Sequence, residues 1–257
     1  MNPIIELKNI TKSYGDKQVL CGINLSINAG QVIGYIGPNG AGKSTTVKIL
    51  CGLLSDYEGD VFINGKNLRE DPVAAKAKIG YVPELAELYD VLTPAEFLGF
   101  MGDLYNLPKE IVVDRMTKML SAFGLEGNIN QRMDTFSKGM KQKVLITSGL
   151  LHNPDIIILD EPLSGLDANS VIIVKELISK LALDGKTIFY CSHMMDVVEK
   201  VSDRIILINA GVVIADGSFE ELKQQQGDQS LEKIFAHMTA SESQAGAADK
   251  LMSAFDN

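Results

Sequence analysis

Apolar and polar positions alternate in short runs over the first 70 residues, where IIELKNI, INLSI, QVIGYI and GDVFING read as β-strands separated by Gly, Asn and Asp turns. One helix interrupts them, from about Ser44 to Cys51. From about Pro72 to Leu151 the period becomes helical, with Pro94 and Pro108 placed to begin helices and Gly124 and Gly127 to end them. This stretch reads as an inserted helical lobe. Beyond it IIILD, TIFYCS and RIILI are apolar throughout and separated by helical segments, the pattern of a parallel sheet buried on both faces. The fold class is therefore α/β. After Asp228 an amphipathic piece, LEKIFAHM, leads into TASESQAGAADK, a polar run of small residues that reads as loose or weakly helical. The expected division is a main domain over 1–225, with the lobe at about 72–151 inside it, and a C-terminal segment over 226–257. No internal repeat is visible.

Composition narrows the partners. A chain of 257 residues suits one α/β unit with an insertion, and 46% hydrophobic against 22% charged residues supplies a sizeable core. The formal charge of −9, without a basic patch, argues against nucleic acid as a partner. Cys21, Cys51 and Cys191 lie in apolar sequence settings without CxxC spacing, as free thiols of a reducing compartment do. The opening MNPIIELKN lacks the basic and apolar regions of a secretory signal, and no run of 18 apolar residues occurs. A cytoplasmic chain that spans no membrane is expected.

The strongest chemical signal is GPNGAGKST: Gly37, Pro38, Asn39, Gly40, Ala41, Gly42, Lys43, Ser44 and Thr45. It follows the strand QVIGYI and precedes a helix, the context a phosphate-binding loop requires. Glycines let the backbone aim N–H groups at phosphate oxygens, Lys43 reaches the β- and γ-phosphates of ATP, and the Ser44 hydroxyl suits Mg²⁺. A Gly-rich turn without function is the competing reading, and the flanking strand and helix weigh against it. IIILDEP then sets Asp160 at the end of an apolar strand, where a carboxylate can hold the Mg²⁺ shell. Glu161 follows directly and can orient or deprotonate an attacking water. An isolated Asp-Glu pair would more often be a strand-end salt bridge, but not beside a phosphate loop. His193 follows TIFYCS and reaches the same sheet edge, whereas His152 and His237 lie in helical segments and read as ordinary polar positions.

At FSKGMKQKV a second anion-binding helix start is expected, with Ser137, Lys138 and Gly139 at the junction of loop and helix. Lys43 to Ser137 is 94 residues and Ser137 to Asp160 is 23. With these motifs in this order the sequence resembles the ATP-binding subunits of ABC transporters over roughly residues 4–225. The resemblance implies a P-loop NTPase core with a mostly parallel sheet, an N-terminal antiparallel β subdomain and an inserted helical lobe. It implies that Ser137 closes over ATP held by a second ATPase subunit in a two-fold homodimer. It further places Tyr14 at the adenine, Glu84 of YVPE on Mg²⁺, Asp167 of SGLD near the nucleotide and His193 as the switch. The partner it implies is a polytopic membrane permease, with this chain peripheral on the cytoplasmic face. Two departures stand out. Glu84 replaces a common Gln and adds a charge, and FSKGM replaces LSGGQ, exchanging a Gly for Lys138. Both resemble the export-type branch, as does the closing LEKIF.

Residue chemistry leaves some positions open. Tyr14 suits surface packing as well as a base platform. Leu88, Tyr89, Leu92, Phe97 and Phe100 suit lobe packing, or a groove for a partner's helix. Three functions compete: a transporter motor, a soluble ABC-type ATPase acting on ribosomes or DNA, and an unrelated P-loop kinase. The single, short, acidic chain favours the first.

Overall fold

The computed structural model describes residues 3–85, 88–227 and 229–239. In chain order the elements are β1 (Ile5–Tyr14), β2 (Lys17–Ile27), β3 (Val32–Ile36), α1 (Lys43–Leu50), β4 (Glu58–Ile63), β5 (Lys66–Asn67), α2 (Pro72–Lys76), β6 (Ile79–Val82), α3 (Pro94–Leu104), α4 (Lys109–Ala122), α5 (Lys138–Leu150), β7 (Ile156–Asp160), α6 (Ala168–Leu183), β8 (Thr187–Cys191), α7 (Met195–Val201), β9 (Arg204–Asn209), β10 (Val212–Gly217), α8 (Phe219–Gln226) and α9 (Leu231–Thr239). They form two sheets, an antiparallel one ordered β2-β1-β4-β5 and a six-stranded one ordered β10-β9-β3-β8-β7-β6. The second is parallel except for the β9–β10 hairpin. The α/β class, the mostly parallel core and the antiparallel N-terminal sheet are as the sequence indicated.

The central strands are buried on both faces. Every residue of β3, β7 and β8 is buried, which explains their unbroken apolar sequences. One core layer joins the antiparallel sheet to one face of the parallel sheet through Ile10, Leu25, Tyr35, Ile158 and Phe189. A second lies beneath α6, α7 and α9, around Ile157, Val174, Ile178, Tyr190 and Leu231. A third holds the helical lobe together, with Phe97, Leu98, Met116, Leu120 and Val144 at its centre.

The lobe corrects one reading. The stretch 72–151 is not helical throughout, because Ile79–Val82 is β6, paired in parallel with β7 from Ile79↔Ile156 to Val82↔Leu159. The pairing is non-local and brings Gly80 so close to the Gly149 carbonyl that no Cβ fits between them. The lobe's helices begin at Thr93, whose hydroxyl and Glu96 form a reciprocal cap with Pro94 in the first turn. Pro108 caps α4 from just outside it, and Gly124, at φ +69°, follows its end. Gly127 ends no α-helix and sits in a short 3-10 turn over Glu126–Asn128. The amphipathic LEKIFAHM is α9, burying Leu231 and Ile234 against the second core layer. The polar run after Thr239 lies outside the described residues. Cys51 and Cys191 are buried free thiols, but Cys21 is exposed rather than in an apolar setting. Among the described residues no helix is long and apolar enough to cross a membrane.

Candidate functional site

Parallel strands bring distant residues to one edge. The loop after β3, the end of β7, the residues after β8 and those after β6 all meet at the carboxyl ends of the strands, where ligands bind in folds of this kind. There a cleft of about 630 Å³ is lined by Asn39, Gly40, Gly42, Lys43, Ser44 and Thr45 from the loop and helix start, with Glu84, Asp160, Glu161 and His193. Tyr14, Lys17 and Val19 of the β1–β2 hairpin close its mouth.

The loop is shaped by backbone constraints. Gly42 has φ +110°, and a Cβ there would lie 2.6 Å from Leu20 Cδ2 and 3.0 Å from the Val19 carbonyl. The Gly211 N–H donates to the Ala41 carbonyl at 3.0 Å, so the β9–β10 turn fastens the loop. Thr46, one residue past the motif, donates to the Gly42 carbonyl at 3.0 Å and shares a 3.1 Å hydrogen bond with the buried Tyr35 hydroxyl. Lys43 folds back over the loop and donates to the carbonyls of Gly37 at 2.6 Å and Pro38 at 3.2 Å. Its ammonium is thus held over the loop by contacts that an anion can replace.

Two carboxylates face the loop. Asp160 is 6% exposed, and burial, followed by the charges of Glu84 and Glu161, pushes its carboxyl up to about 6 against the opposing pull of Lys43. Glu161 has φ +48°, a conformation that costs a residue with a side chain on the order of 1 kcal/mol. Its N–H donates to the Cys191 carbonyl at 2.9 Å, and its carboxylate accepts from Ser192 Oγ at 3.1 Å and lies 2.9 Å from His193 Nδ1. The Ser44 hydroxyl and the Asp160 carboxylate line the same cleft, and the charge crowding at Asp160 is of the kind a hard cation relieves, so the donor set fits Mg²⁺. Glu84 is exposed at the cleft wall. Among the described residues no cluster of three or more acidic, His or Cys side chains is preassembled for a metal.

Tyr14 is 49% exposed at the mouth, with the Lys12 ammonium 4.8 Å from its ring centroid. The helix start expected to be a second anion end lies apart from the cleft. Ser137 caps α5 and accepts from the Met140 N–H at 3.2 Å, but neither it nor Gly139 lines the cleft. Lys138 donates to Ser164 Oγ at 2.8 Å, so its ammonium rests on the loop after Glu161. Asp167 is not brought to the cleft. It caps α6 through the Ser170 N–H and hydroxyl and pairs with Lys143 at 3.1 Å, contacts that hold its carboxyl well below the usual range. Three residues of the cleft region carry little mark in the sequence: Lys17, Ser192 and Val19, the last an ordinary strand position. Lys17 is the hairpin partner of Tyr14 across the two-residue turn Gly15-Asp16, a signal legible in YGDK. Ser192 stands beside His193 and had no signal beyond that adjacency.

A phosphate loop and a strand-end Asp-Glu pair on a doubly wound sheet define a P-loop nucleotide hydrolase. The ABC transporter sequence profile matches residues 20–164, and the chain belongs to the ABC transporter family as an ATP-binding subunit with ATPase activity. It is 36% identical over 228 residues to the linearmycin resistance ATP-binding protein LnrL of Bacillus subtilis (strain 168), covering 89% of this chain and 73% of that one. Among solved structures it is similar to an ATP-binding subunit of an ABC transporter, with a TM-score of 0.87 at 31% identity over 92% of this chain and 100% of that one. It is also similar to the dimeric, post-hydrolysis state of the ATP-binding cassette MJ0796 bound to ADP and Pi, with a TM-score of 0.77 at 30% identity over 83% and 98%.

Proposed function

We propose that this chain is the motor subunit of an ABC exporter, working on the cytoplasmic face of the membrane as one of a pair of identical ATPase chains bound to a polytopic permease. The observation that carries the paired arrangement is the separation of two anion-binding ends in one chain. The phosphate loop faces a cleft with the hydrolytic carboxylates, while the Ser137 end of α5 stands outside it. One ATP has no use for both ends of the same chain, and a two-fold dimer puts each to work on a different nucleotide. The similarity to a dimeric cassette supports this reading. The similarity to a resistance protein and the FSKGM variant support the export direction.

In this reading residues 1–225 are the ATPase unit and 226–257 an appended segment. Tyr14 stacks on the adenine, and the loop from Gly37 to Thr45 wraps the phosphates with Lys43 on the β and γ groups. Ser44, Asp160 and Glu84 hold Mg²⁺, which when bound neutralises charge on the phosphate oxygens. Glu161 accepts a proton from the attacking water, and His193 bridges Glu161 and the γ-phosphate. Ser137, Lys138 and Gly139 close on the partner's ATP, with Asp167 steadying the loop beside them. The test is to tag the chain in its native cell, solubilise membranes in mild detergent and identify what co-purifies stoichiometrically. A polytopic membrane protein is expected. Recovery with ribosomal or DNA-bound components instead would overturn the transporter reading while leaving the ATPase intact.

A further inference from the structure

The last rung between β7 and β8 pairs Asp160 with Cys191, and the ladder runs one step further because the Glu161 N–H donates to the Cys191 carbonyl at 2.9 Å. Glu161 then turns to φ +48°, which carries its side chain back over the end of β8. There Ser192 Oγ lies 3.1 Å from Glu161 Oε2, while His193 Nδ1 lies 2.9 Å from Oε1. Ser192 has a further contact, since the Met194 N–H lies 3.1 Å from the same Oγ. A backbone N–H can only donate, so the Ser192 oxygen accepts there; the carboxylate can only accept, so the hydroxyl proton goes to Glu161, while the neighbouring Tyr190 hydroxyl can itself donate.

The two supports of Glu161 differ in permanence. The His193 side chain is 76% exposed and free to exchange its contact for another when a ligand enters. Ser192 is 1% exposed and fixed to the backbone at the start of α7, so no bulk water replaces its hydroxyl. We propose that Ser192 is a positioning residue for ATP hydrolysis: it holds Glu161 Oε2 permanently, so that Oε1 stays aimed into the cleft when His193 lets go. This rests on Glu161 being the base. A general base needs its lone pair held within hydrogen-bond reach of the proton it takes, and a carboxylate free to rotate about its last bond loses part of that advantage.

The experiment is steady-state ATPase kinetics on the purified full-length chain as Ser192→Ala, Ser192→Thr, Glu161→Gln and Glu161→Gln/Ser192→Ala. Ser192→Ala is expected to lower kcat about tenfold with KM for ATP within about twofold, because the hydroxyl touches the base and not the nucleotide. Ser192→Thr keeps the donor and restores most of the rate, whereas a role in packing alone would not follow the hydroxyl. The double variant is expected to be no slower than Glu161→Gln, since without the base there is nothing to position. Wild-type kcat in Ser192→Ala beside a crippled Glu161→Gln overturns the inference and spares the base. A loss in Ser192→Ala that Thr fails to rescue, or that adds to Glu161→Gln, overturns it as well. Wild-type turnover in Glu161→Gln removes the base itself.

Discussion

Asp160 and Glu161 are consecutive, yet a single backbone turn gives their carboxylates opposite surroundings. Asp160 ends β7 and stays buried, its carboxyl pushed up to about 6 by burial and then by Glu84 and Glu161. Glu161 leaves the strand at φ +48° and meets Ser192 and His193. Asp160 is thereby left in the buried strand end, and Glu161 is turned onto the residues that follow β8.

The raised Asp160 carboxyl has a pH signature. The folded chain holds that proton more tightly than the unfolded chain does, so this group's contribution to stability is present at low pH and lost as pH rises through about 6. Replacing it by a neutral isostere, Asp160→Asn, is expected to stabilise the nucleotide-free chain at pH 7.5 by about 1 kcal/mol, or about 3 °C in Tm. The gain should fall to about a third of that near pH 4.5 and vanish only below the unfolded carboxyl's 3.8. Calorimetry of both proteins at the two values checks this, and an Asn variant that is less stable at pH 7.5 contradicts it. In the proposed Mg²⁺ site the same proton competes with the cation, so Mg²⁺-dependent ATP binding should weaken as pH falls through about 6.

Two glycines of the phosphate loop should differ. At Gly42 a Cβ would press on Leu20 and the Val19 carbonyl, whereas at Gly40, φ +79°, it would meet open space. Gly42→Ala is expected to cost about 3 kcal/mol and abolish nucleotide binding, and Gly40→Ala about 1 kcal/mol, the conformational cost alone. Urea unfolding midpoints, with binding of a fluorescent ATP analogue, separate the two; equal costs contradict the packing argument.

The helical lobe divides the apolar residues that the sequence left open. Phe97 is core, with Leu88 and Leu92 packed beside it, but Tyr89 is 65% exposed and Phe100 is also exposed. Tyr89→Glu should therefore leave stability within about 0.5 kcal/mol and basal ATPase unchanged, while co-purification with the membrane partner is lost. A collapse of the isolated protein's Tm would return Tyr89 to the core.

Much of this was legible in the sequence because burial on both faces leaves a plain mark. IIILD and TIFYCS could be little other than central strands, and the order of Lys43, Asp160 and His193 along strand ends followed from it. β6 was not legible, because four residues after the helix-favouring AAKAK carry no period of their own, and their place comes from pairing with β7. Asp167 was readable as part of a motif, but its pairing with Lys143 exists only once the loop from Pro162 to Asp167 lies against α5. Ser192 was invisible for the same reason, since its partner Glu161 is 31 residues away.

In the proposed dimer a complete site needs two copies of this chain, with Glu161 driving hydrolysis. Light scattering of the Glu161→Gln protein, alongside its turnover, tests it most directly. With saturating Mg-ATP the expected mass is twice that of the 27.9 kDa chain, reverting to one chain without nucleotide, and the expected turnover is lower by roughly a hundredfold with ATP binding intact. A variant that binds ATP tightly yet stays monomeric, or hydrolyses at the wild-type rate, contradicts it.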